Sequence, residues 1–366
     1  MGEIQAFAEE HADGVARLFF RAARGQNRPP GVTLPRYFTE LHLSNPWASP
    51  EMPALVYLEK GKVVGTLGVL PRPMEFRGRS IVAANMTLFM VDPEHRRGHV
   101  AIQLIARAFK GPQHFIWTDG ASGSVSAIWS ALGGRTADLY AFNWIRILRP
   151  FGTARMGLDR MGRAGRLLKP ISGAATIPLD LLLSKLPFSP LRAPVSLYRS
   201  KLVSAEELLD CIAEVGWREP LRPSYSSPSF QWLMREAAKC KLGDLRMLTV
   251  TNPEGSRSGW FVYYASRGAE AFVLQIGVRR PENFENTVLA LFQDAWQQGS
   301  VSVKGAAIPQ YLTPLTEQQC FFRHPHDRVV IHSRDPEIAS AIRFGEAAIT
   351  RLDGISWLRF ARENWD

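Results

Sequence analysis

Cysteine is scarce in this chain of 366 residues: Cys211, Cys240 and Cys320 stand far apart and share no paired spacing. That excludes a disulfide framework and a cysteine-based zinc site, and leaves three buried thiols as the expectation. Long apolar runs are also missing. No stretch reaches the roughly 18 uncharged apolar residues of a membrane span, and Met1 to Arg17 is acidic and polar where a secretion signal is basic and then apolar. A cytoplasmic protein is expected. There is no Walker A loop and no G-x-G-x-x-G dinucleotide loop, so nucleotide hydrolysis and hydride transfer have no support. Ser122 in "FIWTDGASGSVSAIW" is not a nucleophile elbow either, because the last glycine of that motif is Ser124 here. His95 and His99 lie one helical turn apart without the Glu of H-E-x-x-H, and His324 with His326 is the other close pair, so no metal is expected.

What is present is a globular composition, 46% hydrophobic and 21% charged, at a length that predicts two domains. The net charge of +10 is concentrated. Between Arg146 and Lys201 stand eleven Lys or Arg against Asp159 and Asp180. In this Gly- and Pro-rich stretch Leu158, Met161 and Leu168 share a helical face opposite Arg160, Arg163 and Arg166. Read plainly it is a linker; read as a basic amphipathic element, it docks on an anionic membrane surface, an acidic carrier protein or RNA.

The order of elements is legible on either side. Strand and helix open the chain ("EIQAFAEEH", "ADGVARLFFRAARG"), with a second helix at "LPRYFTELHL". "ALVYLEKGKVVGTLGVL" and "PMEFRGRSIVAANMTLFMV" each read as strand, short turn and returning strand, which makes an antiparallel run. A helix after Val91, the strand "HFIWTDG", the helix "SGSVSAIWSALGG" and the strand "LYAFNWIRIL" complete an α+β sandwich of helices on a mixed sheet. After Lys201 strands at "DLRMLTVTN", "SGWFVYYASRG" and "AEAFVLQIGVRR" precede the helix "ENFENTVLALFQDAWQQG". "SVSVKGAAI", a helix around Leu315 to Phe322, "RVVIHS" and a helical end follow. The second half repeats the order of the first without its sequence, which suggests a duplicated fold.

The stretch "VDPEHRRGHVAIQLIARAF" leads from a strand through an Arg-Arg-Gly turn into a helix expected to start at about Gly98. A helix start offers unpaired N–H groups and a partial positive charge, Gly98 lets backbone approach a ligand, and Arg96 and Arg97 add full charges. A phosphate or diphosphate is the natural guest. The corresponding turn in the second half, "GVRRPENFENTV", carries Pro281, Glu282 and Glu285, which repel one.

"NMTLFMV", "DPEHRRGHVA" and the apolar helix after them resemble motif A of the GNAT N-acyltransferase superfamily, and "SGSVSAIWSALGG" resembles that family's last conserved helix. The family's first loop glycine is His99 here and its second is Ala101, with Gly98 one step early. The resemblance implies two GNAT-like domains, each a mixed, mostly antiparallel twisted sheet flanked by helices. They would span residues 1–148 and 201–366, joined by the basic linker 149–200, with the second copy degenerate. It implies acetyl-CoA or another acyl-CoA as cosubstrate and a small-molecule amine, such as an amino sugar or amino acid, as acceptor. The cosubstrate would lie along Phe89, Met90 and Val91, with its diphosphate on Arg96, Arg97, Gly98, His99, Val100 and Ala101, and Ser124 close by. The amine attacks directly, so no protein nucleophile is required. Many family members carry a Tyr where this chain has Trp129, which leaves Tyr140 and Asp119 as candidates for proton transfer. Alternatives from the same residues are a transferase fed by an acyl carrier protein or an aminoacyl-tRNA, which the basic segment Arg146 to Lys201 would steer, and a non-catalytic binding protein of this fold. Placement at the inner face of a membrane is compatible with each.

Overall fold

The structure is a computed structural model that describes residues 2–160, 179, 180, 182, 193–324, 327–361, 363 and 365. Its first half runs β1 (Glu3–Ala6), α1 (Ala12–Arg24), α2 (Thr33–Leu43), β2 (Leu55–Glu59), β3 (Lys62–Phe76), β4 (Arg79–Val91), α3 (Val100–Phe109) and β5 (Phe115–Ala121). It continues with α4 (Gly123–Ala131), β6 (Arg135–Thr136), α5 (Asp138–Ala141), β7 (Asn143–Ile147) and α6 (Pro150–Arg160). The second half runs β8 (Arg199–Leu202), α7 (Ala205–Val215), β9 (Leu221–Pro223), α8 (Ser227–Ala238), β10 (Asp244–Thr251), β11 (Arg257–Ala265), β12 (Glu270–Val278) and α9 (Phe284–Gln297). It ends with β13 (Ser302–Ala306), α10 (Leu312–Glu317), β14 (Phe321–Arg323), β15 (Arg328–Ser333) and α11 (Pro336–Arg343).

Two mostly antiparallel sheets result. The antiparallel run β2-β3-β4 is set by two-residue turns, Lys60-Gly61 and Arg77-Gly78, in which both residues take positive φ (50° and 74°; 50° and 80°). Such turns match the twist of the strands they join. The first sheet has the order β1-β2-β3-β4-β5-β15-β6, with β9 added on β3, and the second has the order β14-β7-β13-β12-β11-β10-β8. Each contains one parallel pair reached through a helix, β4 with β5 and β12 with β13.

Besides β9 on β3, the expected cut at residue 148 is crossed twice more. Strand β7, from the first half, sits in the second sheet between β13 and β14, and β15, from the second half, sits in the first sheet between β5 and β6. The two halves also share a core. Helices α1 and α2 cover one face of the first sheet, and Phe19, Phe38 and Leu70 there belong to the same buried cluster as Leu208, Phe230 and Trp260 of the second half. The other face is covered by α3 and α4 through Leu104, Ile105 and Trp129. The "LYAFNWIRIL" stretch is not one strand: α5 ends at Ala141, and extended backbone at Phe142 (ψ 143°) leads into β7.

After α11 the chain runs without regular structure from Ala347 to Leu358 and crosses both sheets. Leu352 N–H donates to Leu274 O of β12 (3.0 Å), and Ile355 N–H donates to Asp119 Oδ1 of β5 (3.1 Å). Asp353 is buried between them, accepting from Tyr225 Oη (2.8 Å) and Thr350 Oγ1 (2.5 Å).

Candidate functional site

The site follows from how β4 leaves its neighbours. Its parallel pairing with β5 covers only Ala83 to Asn85 against Phe115 to Trp117, after which the strands part. On the other side the register against β3 shifts between Thr66 and Gly68, so Leu88 and Phe89 fall out of the ladder and Leu88 takes φ 47°. This is a β-bulge, a device that bends a strand and re-aims its backbone groups. Between the parted strands lies a cleft of about 440 Å³, bounded by Met86 to Met90, by Gly120 to Ser122, and by Phe19 and Arg24 of α1. Ile355 and Phe360 of the C-terminal segment close one end.

Beyond β4 the turn is held by side-chain contacts. Asp92 accepts from Glu94 N (3.1 Å) and pairs with Arg21. His95 Nε2 meets Glu59 Oε2 at 2.7 Å, and His99 Nε2 meets Tyr57 Oη at 3.2 Å. Helix α3 begins at Val100, two residues later than expected, with His99 as its N-cap and no side chain capping it. The N–H groups of Val100, Ala101 and Ile102 have no acceptor within the helix. Gly98 is exposed, and a Cβ added there would meet only the His95 carbonyl, at 3.3 Å. That one contact is tight and the rest of the position is open, so a side chain there would project into the space beside the turn. Arg97 and His99 are exposed beside it.

Three sequence expectations are corrected. Arg96, expected on the anion, donates instead to the carbonyls of Ala22 (2.9 Å) and Val91 (3.4 Å), fastening the turn to the end of α1. Tyr140 is buried away from the cleft; its hydroxyl donates to Ala347 O (2.9 Å) and accepts from Ala347 N (3.1 Å), and burial pushes its pKa up. A phenol so placed has no proton to offer a substrate in the cleft. Asp119, at the end of β5, pairs with Arg351 Nη1 (3.0 Å) and accepts from Ile355 N, both side chains being largely buried. It anchors the C-terminal segment.

The remaining expected residues surround the opening. Phe89 and Met90 line the cleft and Val91 ends β4 beside it. Ser124 lies in the first turn of α4, bonded to the capping Ser122 (3.0 Å), which lines the cleft. Trp129 is fully buried, edge-on to Phe109. Sequence reasoning missed a polar spot on the α1 side. Thr87 lines the cleft and its buried hydroxyl has no hydrogen-bond partner. The His42 ring lies next to it over Gly68, where a Cβ would come within 2.6 Å of Cε1; neither ring nitrogen is bonded, and burial lowers its pKa to about 4. Buried polar groups are rarely left unpaired, which sets this spot apart from the apolar packing around it. A histidine among the apolar residues of "LPRYFTELHL" was the signal that could have pointed to it.

The second sheet repeats the parting. Strand β12 pairs with β13 only from Glu270 to Phe272 against Ser302 to Lys304. Here the gap is filled by Ala347 to Arg351, leaving about 40 Å³, and Leu352 N–H takes the Leu274 carbonyl. Of the basic segment, Arg146 bonds Gln319 Oε1 (2.9 Å), and Arg149 bonds the carbonyls of Ser300 (2.6 Å) and Trp296 (2.7 Å). The expected amphipathic face, with Met161, Arg163, Arg166 and Leu168, and also His326, lie outside the described residues.

Residues 3–113 match the family model described as an acetyltransferase (GNAT) domain. Among solved structures, the chain is similar to a GCN5-related N-acetyltransferase from Anabaena variabilis, at 13% identity and TM-score 0.56 over 92% of this chain and 74% of that one. A probable N-acyltransferase from Enterococcus faecalis aligns at 12% identity and TM-score 0.55, over 91% and 72%. A GCN5-related N-acetyltransferase from Kribbella flavida aligns at 13% identity and TM-score 0.54, over 94% and 74%. No curated protein matches the chain. Residues 3–113 are thus similar to a GNAT acetyltransferase domain, and the two mixed sheets share the fold of these solved acetyltransferases.

Proposed function

We propose that the chain is an N-acyltransferase that moves an acetyl or longer acyl group from acyl-CoA to a primary amine by direct attack. The observation that supports this most is a pairing: the cleft between β4 and β5 stays open, and α3, the next α-helix after β4, has an uncapped start. When bound, acyl-CoA supplies an activated thioester. The backbone N–H groups of Val100 and Ala101, with the Arg97 charge beside them, suit its diphosphate. Gly98 leaves that approach clear. Leu88 and Phe89, freed from the ladder by the bulge, have the N–H groups best placed to hold the thioester carbonyl. Thr87 offers the incoming nitrogen a hydrogen-bonding hydroxyl on the α1 side. With Tyr140 and Asp119 engaged elsewhere, the proton of the ammonium leaves through this polar spot and water. No helix among the described residues is long and apolar enough to cross a membrane; the cytoplasm, where acyl-CoA is available, is the proposed place of work.

Titration with acetyl-CoA, followed by thermal unfolding, tests the reading. A ligand at about 100 times its Kd adds about 2.7 kcal/mol of stability, so a clear rise in melting temperature is expected. Unchanged melting at millimolar acetyl-CoA and with longer acyl-CoAs would remove the proposal.

A further inference from the structure

The cleft has two faces, and they differ in charge. Helix α3, whose start is uncapped, packs on one face of the first sheet, while α1 covers the other. On α1, Arg17, Arg21 and Arg24 are spaced four and three residues apart and so lie along one side of the helix. Arg24 lines the cleft. Further along the same helix, Arg17 and Arg21 line an open groove of about 920 Å³, together with Arg28 and with Lys62 from the start of β3. Glu10 is the acidic residue among that groove's described lining, and Asp92 neutralises Arg21. Asp13, the one acid of α1, lies outside the lining. Arg28 donates to the Trp365 carbonyl and lies over Phe20, neither of which cancels its charge. Arg17 and Lys62 are exposed. Five cations thus stand against two carboxylates from the cleft end of α1 to the groove.

We infer that the acceptor is an amine bearing phosphate or carboxylate groups apart from its reacting nitrogen, with those oxyanions held along α1 by Arg17, Arg28 and Lys62. This rests on the acyl-CoA reading of the cleft, since a donor held at α3 leaves the α1 face to the acceptor. Seven residues of helix separate Arg24 from Arg17, about 10 Å at 1.5 Å per residue, which matches an acceptor of sugar-phosphate or nucleotide size. A plain hydrophobic amine would find no use for the groove. The same charges accelerate the encounter with an anionic acceptor, an effect that salt removes.

The experiment is a calorimetric titration of tripolyphosphate into protein already saturated with acetyl-CoA, so that the turn before α3 is occupied. One site is expected, weakened about tenfold in the double variant Arg17→Gln/Lys62→Gln and further weakened by salt, with acetyl-CoA affinity unchanged. Both substituted side chains are exposed, and equal melting temperatures check the fold. Absence of tripolyphosphate binding, or equal binding to the double variant, overturns the inference. A tenfold loss of acetyl-CoA affinity in that variant also overturns it, by assigning the groove to the donor's own phosphates. Failure of acetyl-CoA to bind the unsubstituted protein would be seen in the first titration and would count against the acyl-CoA reading itself.

Discussion

Two places in the molecule share one construction and have opposite outcomes. At β4/β5 and at β12/β13 a parallel pair is joined for three residues and then parts. Parting exposes backbone groups that must find partners. In the second sheet the chain supplies them, laying Ala347 to Leu352 into the gap. In the first sheet the gap stays open at about 440 Å³. The helices that follow show the same divergence. Before α3 stand Arg96, Arg97 and Gly98; before α9 stand Pro281, which has no N–H to give, and Glu282, whose charge already satisfies the helix dipole. The same strand geometry thus gives an open cleft in one sheet and a gap filled by the chain itself in the other.

The largest expected effect comes from cutting the strap between the two clefts. Asp119→Ala leaves Arg351 buried without its partner, and removing one member of a buried pair costs about 3–5 kcal/mol, readable by urea denaturation. A loss under about 1 kcal/mol would show that the segment filling the second gap is not anchored at the first. Next comes the turn. Gly98→Trp is expected to lower acetyl-CoA affinity about 100-fold, or about 2.7 kcal/mol, with melting temperature unchanged, because only the His95 carbonyl neighbours that position. Glu282→Gln, at the matching turn, should leave affinity alone; an equal response at both turns would erase the contrast. The smallest effect is Tyr140→Phe. It strips both bonds from Ala347 and should cost about 1–3 kcal/mol of stability while kcat stays within about twofold. A large fall in kcat with the fold intact would return Tyr140 to the chemistry.

Much of the first cleft was legible because its parts are local. The Lys60-Gly61 and Arg77-Gly78 turns announce themselves by residue type, and the apolar spacing of residues 100–109 announces α3. The bulge at Leu88 was not legible, since "NMTLFMV" has the composition of an ordinary strand and the irregularity exists only against β3. The filled second gap was equally hidden. Ala347 to Leu352 has no periodicity, and its role is set by β12, some 70 residues earlier in the chain. Tyr140 and Asp119 looked catalytic because they stand near the right elements in sequence; their partners, Ala347 and Arg351, are more than 200 residues away.

The exchange of β7 and β15 bears on how the protein comes to exist at all. During synthesis the first sheet lacks an interior strand until Ser333 has been made, and β7 waits beside an unfinished neighbour. A ribosome-bound first half therefore presents unpaired edges on β5 and β6 for most of translation, a situation that invites chaperones. Severing the gene between the halves should yield two fragments that fold only when mixed.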